Sequence, residues 1–348
     1  MEIIGFDLHK RESQLAIKAE DGAIGDRRIP TSRAALIKVF GNRPRAKILL
    51  EASTESEWVA QLVEALGHEV IVADPNFAAM YATRSRRNKT DKRDARTLLQ
   101  ACELGAYRPA HRLSEARRHL RAELAVRDVL VRTRTRAITV IKTLVRRDGL
   151  RVPSSTSRMV AQRVTALDLP ALLGVEVAPL LRVLESVNTQ IAIVDARLAP
   201  LATGDPEIER LCTAPQIGIV TAAAFVATVD DITRFRSPHD LEAYFGLVPS
   251  EDSSAERRRL GRITKAGNAR VRWLLVEAAW RILRSKHADT AAVRAWALGI
   301  AARRGKRIAA VALARRLVGI LYAMWRDGVP YCAAKLHRGA PTPRAQVA

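Results

Sequence analysis

Glu2-Ile3-Ile4-Gly5-Phe6-Asp7 is an apolar run of strand length that stops on an acid. The pattern returns at Ile48-Leu49-Leu50-Glu51, and Val70-Ile71-Val72-Ala73 is stopped by Asp74-Pro75. Short apolar runs bounded by turn signals read as strands buried on both faces. Working outward, a second β-like stretch carries Leu15, Ala16 and Ile17, and a third runs from about Ala23 to Pro30 after the Asp21-Gly22 turn signal. Helical patterning covers Ser32 to Phe40, and Trp58, Leu62 and Leu66 recur at helical spacing. Three strands, helix, strand, helix, strand and helix predict an α/β layer around a mixed sheet.

In open α/β sheets ligands bind beyond the strand ends, so Asp7 and Glu51 are informative. If strands one and four are neighbours, the two carboxylates enter one cleft. Lys89-Thr90-Asp91-Lys92-Arg93-Asp94-Ala95 begins the following helix and can cap it. Asp91 and Asp94 share a helix face, with Cβ atoms roughly 5–6 Å apart. Among Arg86, Arg87, Lys89, Lys92, Arg93 and Arg96 an isolated D-x-x-D is ordinarily a solvated charge mosaic. Four acids on three elements point instead to a Mg²⁺ site, because hard cations take carboxylate oxygens. Asp74 before Pro75 reads as a turn residue or helix cap.

The 348 residues accommodate two or three domains. With 58 Lys plus Arg against 36 Asp plus Glu, the formal net charge is +22, which favours a polyanionic partner. The reading expects no apolar run of the roughly 18 residues that span a bilayer, and hence a soluble, intracellular nucleic-acid-binding protein. Cys102, Cys212 and Cys332 are too dispersed for a metal motif and are expected to be reduced and buried. The seven histidines form no zinc-type pair.

From Ser114 the pattern becomes purely helical. Leu120, Leu124, Val131, Ile138, Ile141 and Val145 predict one long helix to Gly149, and Pro179 to Leu198 a second. Two such helices suggest an antiparallel coiled-coil arm. Between Arg84 and Arg147, Lys and Arg outnumber Asp and Glu about three to one, as expected where a phosphate backbone lies. Pro215-Gln216-Ile217-Gly218-Ile219-Val220-Thr221 is similar to one hairpin of a helix-hairpin-helix element, with a helix C-cap as the plain alternative. Tyr244-Phe245-Gly246-Leu247-Val248-Pro249-Ser250-Glu251-Asp252-Ser253-Ser254-Ala255 leads to Gly261-Arg262-Ile263-Thr264-Lys265-Ala266-Gly267-Asn268, a polar, turn-rich loop between helices. Helices from Val271 to Leu283, Ala291 to Ala302 and Ile308 to Trp325 follow, with a basic hinge at 303–307 and a disordered end.

The segments Gly5-Phe6-Asp7-Leu8-His9-Lys10, Leu50-Glu51-Ala52-Ser53, Val72-Ala73-Asp74-Pro75 and Lys89 to Ala95, in this order and spacing, resemble the RuvC-like DEDD domain of one insertion-sequence transposase family. That family includes the Piv-type invertases and bridge-RNA-guided recombinases. The 244–268 stretch, with Arg234-Phe235-Arg236-Ser237, resembles its C-terminal transposase domain, and the likeness runs over roughly residues 3–330. It implies a RuvC-like (RNase H-like) domain over 1–108, a helical coiled-coil arm over 109–200, and an all-α domain with the serine loop over 201–340. A disordered tail over 341–348 completes the division.

The resemblance also implies Mg²⁺, with Mn²⁺ able to substitute, held by Asp7, Glu51, Asp91 and Asp94. Ser254 maps onto the family's nucleophile, and Ala255 stands where the family usually has glycine. Arg257, Arg258, Arg259, Arg262 and Lys265 would clamp phosphates there, as Arg86, Arg87, Lys89, Lys92 and Arg93 would beside the acids. Element and target DNA, a guide RNA, a dimer or tetramer, and a bacterial cytoplasmic, nucleoid-associated location are implied as well. Two other classes compete with a recombinase working through a phosphoserine-DNA intermediate. One is a metal-dependent junction endonuclease that activates water; the other is a basic architectural protein, which leaves the acids without a purpose.

Overall fold

In a computed structural model, residues 1–82, 90–251 and 260–333 are described. They fall into two compact units, Met1–Arg112 and Leu113–Ala348.

In the first unit, β1 (Glu2–Asp7), β2 (Glu12–Lys18) and β3 (Ile24–Pro30) form an antiparallel meander. Next come α1 (Arg33–Phe40), β4 (Ala46–Glu51), α2 (Ser56–Ala65), β5 (Glu69–Ala73), a 3₁₀ turn at Ala78–Tyr81, and α3 (Asp91–Leu104). The sheet order is β3-β2-β1-β4-β5, with β4 parallel to both β1 and β5. The mixed sheet expected from the apolar runs is therefore present, and strands one and four are neighbours.

Alternation sorts the strand residues between two faces. Ile4, Phe6, Ile48 and Leu50 join Leu36, Phe40, Val59 and Val63 on the α1/α2 face. Leu49 and Ala73 join Leu98, Ala101 and Cys102 of α3 on the other. Each large apolar side chain fully buried in this way contributes about 1.5–3 kcal/mol. Gly5 decides how closely α3 can lie. A Cβ there would stand 2.1 Å from the Ala95 carbonyl oxygen and 2.3 Å from the Leu99 nitrogen. Only glycine lets the helix backbone rest on β1. The start of α3 is fixed by Thr90, whose hydroxyl accepts from the Arg93 backbone N–H as an N-cap.

The second unit begins with α4 (Glu115–Arg147), N-capped by Ser114. Beyond it lie α5 (Val160–Thr165) and α6 (Ala171–Thr203). α4 and α6 run antiparallel, as the ladder Glu123–Arg197, Arg127–Asp195 and Arg147–Glu176 requires. α6 starts eight residues before the expected Pro179, which sits inside the helix together with Pro200. Ile141, Val145, Val160, Val164, Val177 and Leu184 close one end of this pair.

Then follow α7 (Pro206–Cys212), α8 (Ile219–Val229), a 3₁₀ turn at Ile232–Arg234 and α9 (Pro238–Tyr244). β6 (Pro249–Glu251) and β7 (Leu260–Ile263) precede α10 (Ala269–Arg284), a 3₁₀ turn at Ala288–Thr290, α11 (Ala291–Arg304) and α12 (Lys306–Arg326). Phe225, Phe245, Leu275, Leu313, Leu317 and Leu321 belong to the core that α8, α10 and α12 share.

Four expectations need correction. Gly218 is the N-cap of α8 and not a helix C-cap. The 244–268 stretch contains a two-stranded antiparallel sheet, β6 with β7, rather than loop alone. α6 and α12 are long and apolar enough to cross a membrane by length and composition, because scattered charges do not prevent a window from being apolar on average. The buried side of α12 (Leu313, Leu317, Leu321) is core, which accounts for its composition. Of the cysteines, Cys102 is buried, Cys212 half-buried and Cys332 exposed, so burial holds fully only for the first.

Candidate metal centre

The parallel register pairs Phe6 with Leu50, so Asp7 and Glu51, one residue on, leave neighbouring strands at the same edge. α3 brings Asp91 and Asp94 in its first turn, where the helix dipole favours negative charge. Oxygens of Asp7 and Asp91 and a ring nitrogen of His9 all lie within 4.8 Å of one another. His9 Nε2 is 3.1 Å from Asp7 Oδ2 and 3.6 Å from Asp91 Oδ1. Glu51 Oε1 accepts a hydrogen bond of 2.7 Å from the Tyr81 hydroxyl.

Asp7 is more enclosed than His9 or Asp91, its side chain 12% exposed against 50% and 57%. Burial pushes its carboxyl up to about 6; His9 opposes the rise, and Asp94, Asp91 and Glu51 add to it in that order. All four acids expected from the sequence therefore share one electrostatic neighbourhood. A carboxylate so placed is short of positive charge, and oxygen-rich surroundings with one imidazole suit a divalent cation. The donor set fits such an ion.

The turn bearing His9 is pinned on both sides. Its N–H donates to Ser13 Oγ at 3.3 Å, and Thr31 Oγ1 donates to its carbonyl at 2.7 Å. Sequence reasoning assigned no role to His9 or Tyr81. His9 could have been noticed from its position two residues after Asp7, the same-face spacing of an extended chain. Tyr81 carries no comparable signal.

Of the basic residues expected beside the acids, Lys92 pairs with Asp26 at 2.9 Å, and Arg96 grips the same carboxylate with two nitrogens. Asp26 is held below the usual carboxylate range, first by Arg96. These contacts tie α3 to β3. Arg93 is exposed, while Arg86, Arg87 and Lys89 lie outside the described residues. Asp74 accepts from the Asn76 N–H and pairs with Arg108, in keeping with a turn role.

In the second unit, Arg262 and Lys265 are exposed at the base of the β6/β7 pair. That base is drawn together by Arg272, which donates to the carbonyls of Phe245 and Ala266 at 2.9 and 2.8 Å. Gly267, at φ 68°, passes so close to the Tyr244 carbonyl oxygen that a Cβ would stand 1.9 Å from it. Ser253, Ser254, Ala255, Arg257, Arg258 and Arg259 lie outside the described residues.

Residues 4–147 match a family of transposases typified by the DEDD domain of IS110. Residues 208–294 match the Transposase IS116/IS110/IS902 family. A Pseudomonas aeruginosa protein named "Probable family 20 transposase" is 30% identical, the alignment covering 92% of this chain and 96% of the relative. The transposase for insertion sequence element IS1111A of Coxiella burnetii is 28% identical over 93% of this chain and 89% of its own. The transposase for IS1328 of Yersinia enterocolitica is 25% identical over 94% and 98% respectively. The mixed sheet with its acidic edge, the helical second unit and near full-length similarity to insertion-element enzymes agree, and the chain belongs to the IS110/IS116 family of DNA transposases.

Proposed function

We propose that the protein excises and inserts its own element through a phosphoserine-DNA intermediate, guided by RNA, as in the Piv-type and bridge-RNA branch of the family. The observation that supports this most is the meeting of Asp7, Asp91 and His9, with Glu51 and Asp94 in the same field. Asp7, Glu51, Asp91 and Asp94 would hold Mg²⁺ or Mn²⁺. Such a cation, when bound, supplies Lewis-acid stabilisation of charge on a scissile phosphate.

The remaining steps belong to side chains. Ser254 Oγ loses its proton and attacks phosphorus; the P–O3′ bond breaks, and the departing 3′ oxygen takes up a proton. The free 3′-OH of the partner strand later displaces the serine and restores a phosphodiester. Arg257, Arg258, Arg259, Arg262 and Lys265 hold phosphates at that loop, and Arg86, Arg87, Lys89, Lys92 and Arg93 do so near the acids. Residues 109–200 act as a coiled-coil arm that pairs subunits into a dimer or tetramer. The turn between α7 and α8, where Gln216 adopts φ 62°, serves as a helix-hairpin-helix contact to a phosphate. The enzyme works on nucleoid DNA in the bacterial cytoplasm.

The test is adduct trapping with element-end DNA and Mg²⁺. Wild type should give a denaturation-resistant protein–DNA adduct, and Ser254→Ala none while still binding DNA. An adduct that persists in Ser254→Ala and disappears in Ser253→Ala would show the other serine to be the nucleophile. Free 5′-phosphate ends without any adduct would establish a water-activating junction endonuclease instead. Mixing Asp91→Ala with Ser254→Ala protein should restore activity if the two halves of the site come from different subunits; failure with intact assembly would place them in one chain.

A further inference from the structure

The second unit holds a groove of about 510 Å³ between α4 and α10, lined by Val131, Arg132, Thr135, Arg136, Arg270 and Trp273. Its volume is within the range that accepts small organic ligands. Trp273 is 50% exposed, although Val271, Leu274, Leu275 and Ala278 on the same helix are buried. A half-exposed indole offers a flat face on which another ring can stack. The Arg270 guanidinium lies 4.5 Å from the ring centroid, backing the ring. Arg270 is itself fixed by Asp128 at 2.6 Å, and Asp128 also takes Arg132 at 2.8 Å. One carboxylate thus holds two guanidiniums. Arg136 has no ion-pair partner among the described residues, and the Arg132 side chain is 70% exposed.

The geometry points to a binding site for an unpaired nucleotide, its base stacked on Trp273 and its phosphates against Arg132 and Arg136. An aromatic plane stiffened by a cation and bordered by exposed arginines, one paired along the helix (Arg132) and one not (Arg136), is the recurring design for single-stranded nucleic acid. A base inside a duplex cannot offer its face, so paired DNA would use the arginines and leave the ring idle. An acidic peptide would likewise satisfy the guanidiniums without covering the indole. The site belongs to the second unit and the four acids to the first, and it does not depend on the phosphoserine reading. Single-stranded DNA and RNA offer the same chemistry here.

The test measures binding of full-length protein to labelled oligo-dT, oligo-rU and duplex DNA of equal length, by anisotropy at fixed salt. Trp273→Ala should weaken single-strand binding by about five-fold to a hundred-fold and duplex binding by less than about two-fold. Trp273→Phe, which keeps a ring, should recover most of the loss. Circular dichroism should show both variants folded, since the side chain is half exposed. A loss confined to rU assigns the site to RNA, one confined to dT assigns it to a displaced DNA strand, and a loss on both supports a general single-strand site. Unchanged single-strand affinity, an equal loss on duplex, or no single-strand binding by the wild type would overturn the proposal.

Discussion

The acidic edge of the first unit and the arginine-lined side of α4 both gather charge of one sign, but by opposite means. At the edge, Asp7, Glu51, Asp91 and Asp94 converge from two strand ends and one helix start, and burial raises the Asp7 carboxyl to about 6. Along α4 the guanidiniums are spread over the length of the helix, and several are half-neutralised by Asp128, Asp195 and Glu176. A converged cluster acts through a single bound ion, so its members cannot stand in for one another. A distributed row acts by summing weak terms, so each member is dispensable. The contrast predicts all-or-none behaviour in one region and graded behaviour in the other.

The largest effect should follow loss of one acid. Asp7→Ala or Asp91→Ala should lower strand cleavage by at least about a hundred-fold, since the charge stabilisation a bound cation provides is worth several kcal/mol. Nucleic-acid affinity in a gel-shift assay should be nearly unchanged. A graded, few-fold loss of cleavage would break the contrast.

Next in size is Gly5→Ala, which changes no charge. Its methyl group would meet the Ala95 carbonyl oxygen at 2.1 Å, so α3 must shift. Overpacking of this kind costs about 1–3 kcal/mol and should lower the melting temperature by several degrees. Divalent-ion affinity, followed by calorimetry, should fall with it, because Asp91 and Asp94 ride on α3. A variant that melts like wild type would show that the helix does not position the acids.

A smaller effect concerns stability without metal. Because the Asp7 carboxyl is raised in the folded state to about 6 from 3.8, its ionisation opposes folding. That penalty is absent below about pH 4, grows as pH rises toward 6, and is complete above it. In chelator at pH 7.5, Asp7→Asn should melt above wild type by about 2–4 °C per kcal/mol of relieved strain, and the gap should close near pH 4. Excess Mg²⁺ should reverse the order. A gap that widened on acidification would contradict the assigned sign.

The smallest single effects belong to α4. Arg136→Ala should lower the slope of log affinity against log salt by roughly 0.7–0.9 and weaken DNA of any sequence to the same degree. A sequence-selective loss would mean that this arginine reads bases.

Much of the first unit was legible because β1, β4 and β5 are apolar runs stopped by an acid, and β3 follows a turn pair. Asp7, Glu51, Asp91 and Asp94 could be named since strand-end acids and a D-x-x-D turn are visible without tertiary information. His9 was not singled out, because one histidine near an acid is common and only the fold brings Asp91 to it. The beginning of α6 was hidden by Pro179, which reads as a helix start although packing against α4 carries the helix through it. β6 and β7 are three and four residues long and lack alternation, so no periodicity announces them. The clamp of Asp128 on Arg270 was equally invisible, as it depends on how α10 meets α4.

α3 holds Asp91 and Asp94 in its first turn while Leu98, Leu99, Ala101 and Cys102 farther along fill the core. Fraying of that first turn would withdraw two carboxylates at once and leave the packed end in place. Ion binding must therefore draw free energy from the same local opening equilibrium. Amide hydrogens at the start of α3 should exchange with solvent more slowly once a divalent ion is present, and those of its C-terminal half should scarcely respond. A bound ion would thus latch the first turn of the helix to the strand edge it already rests on.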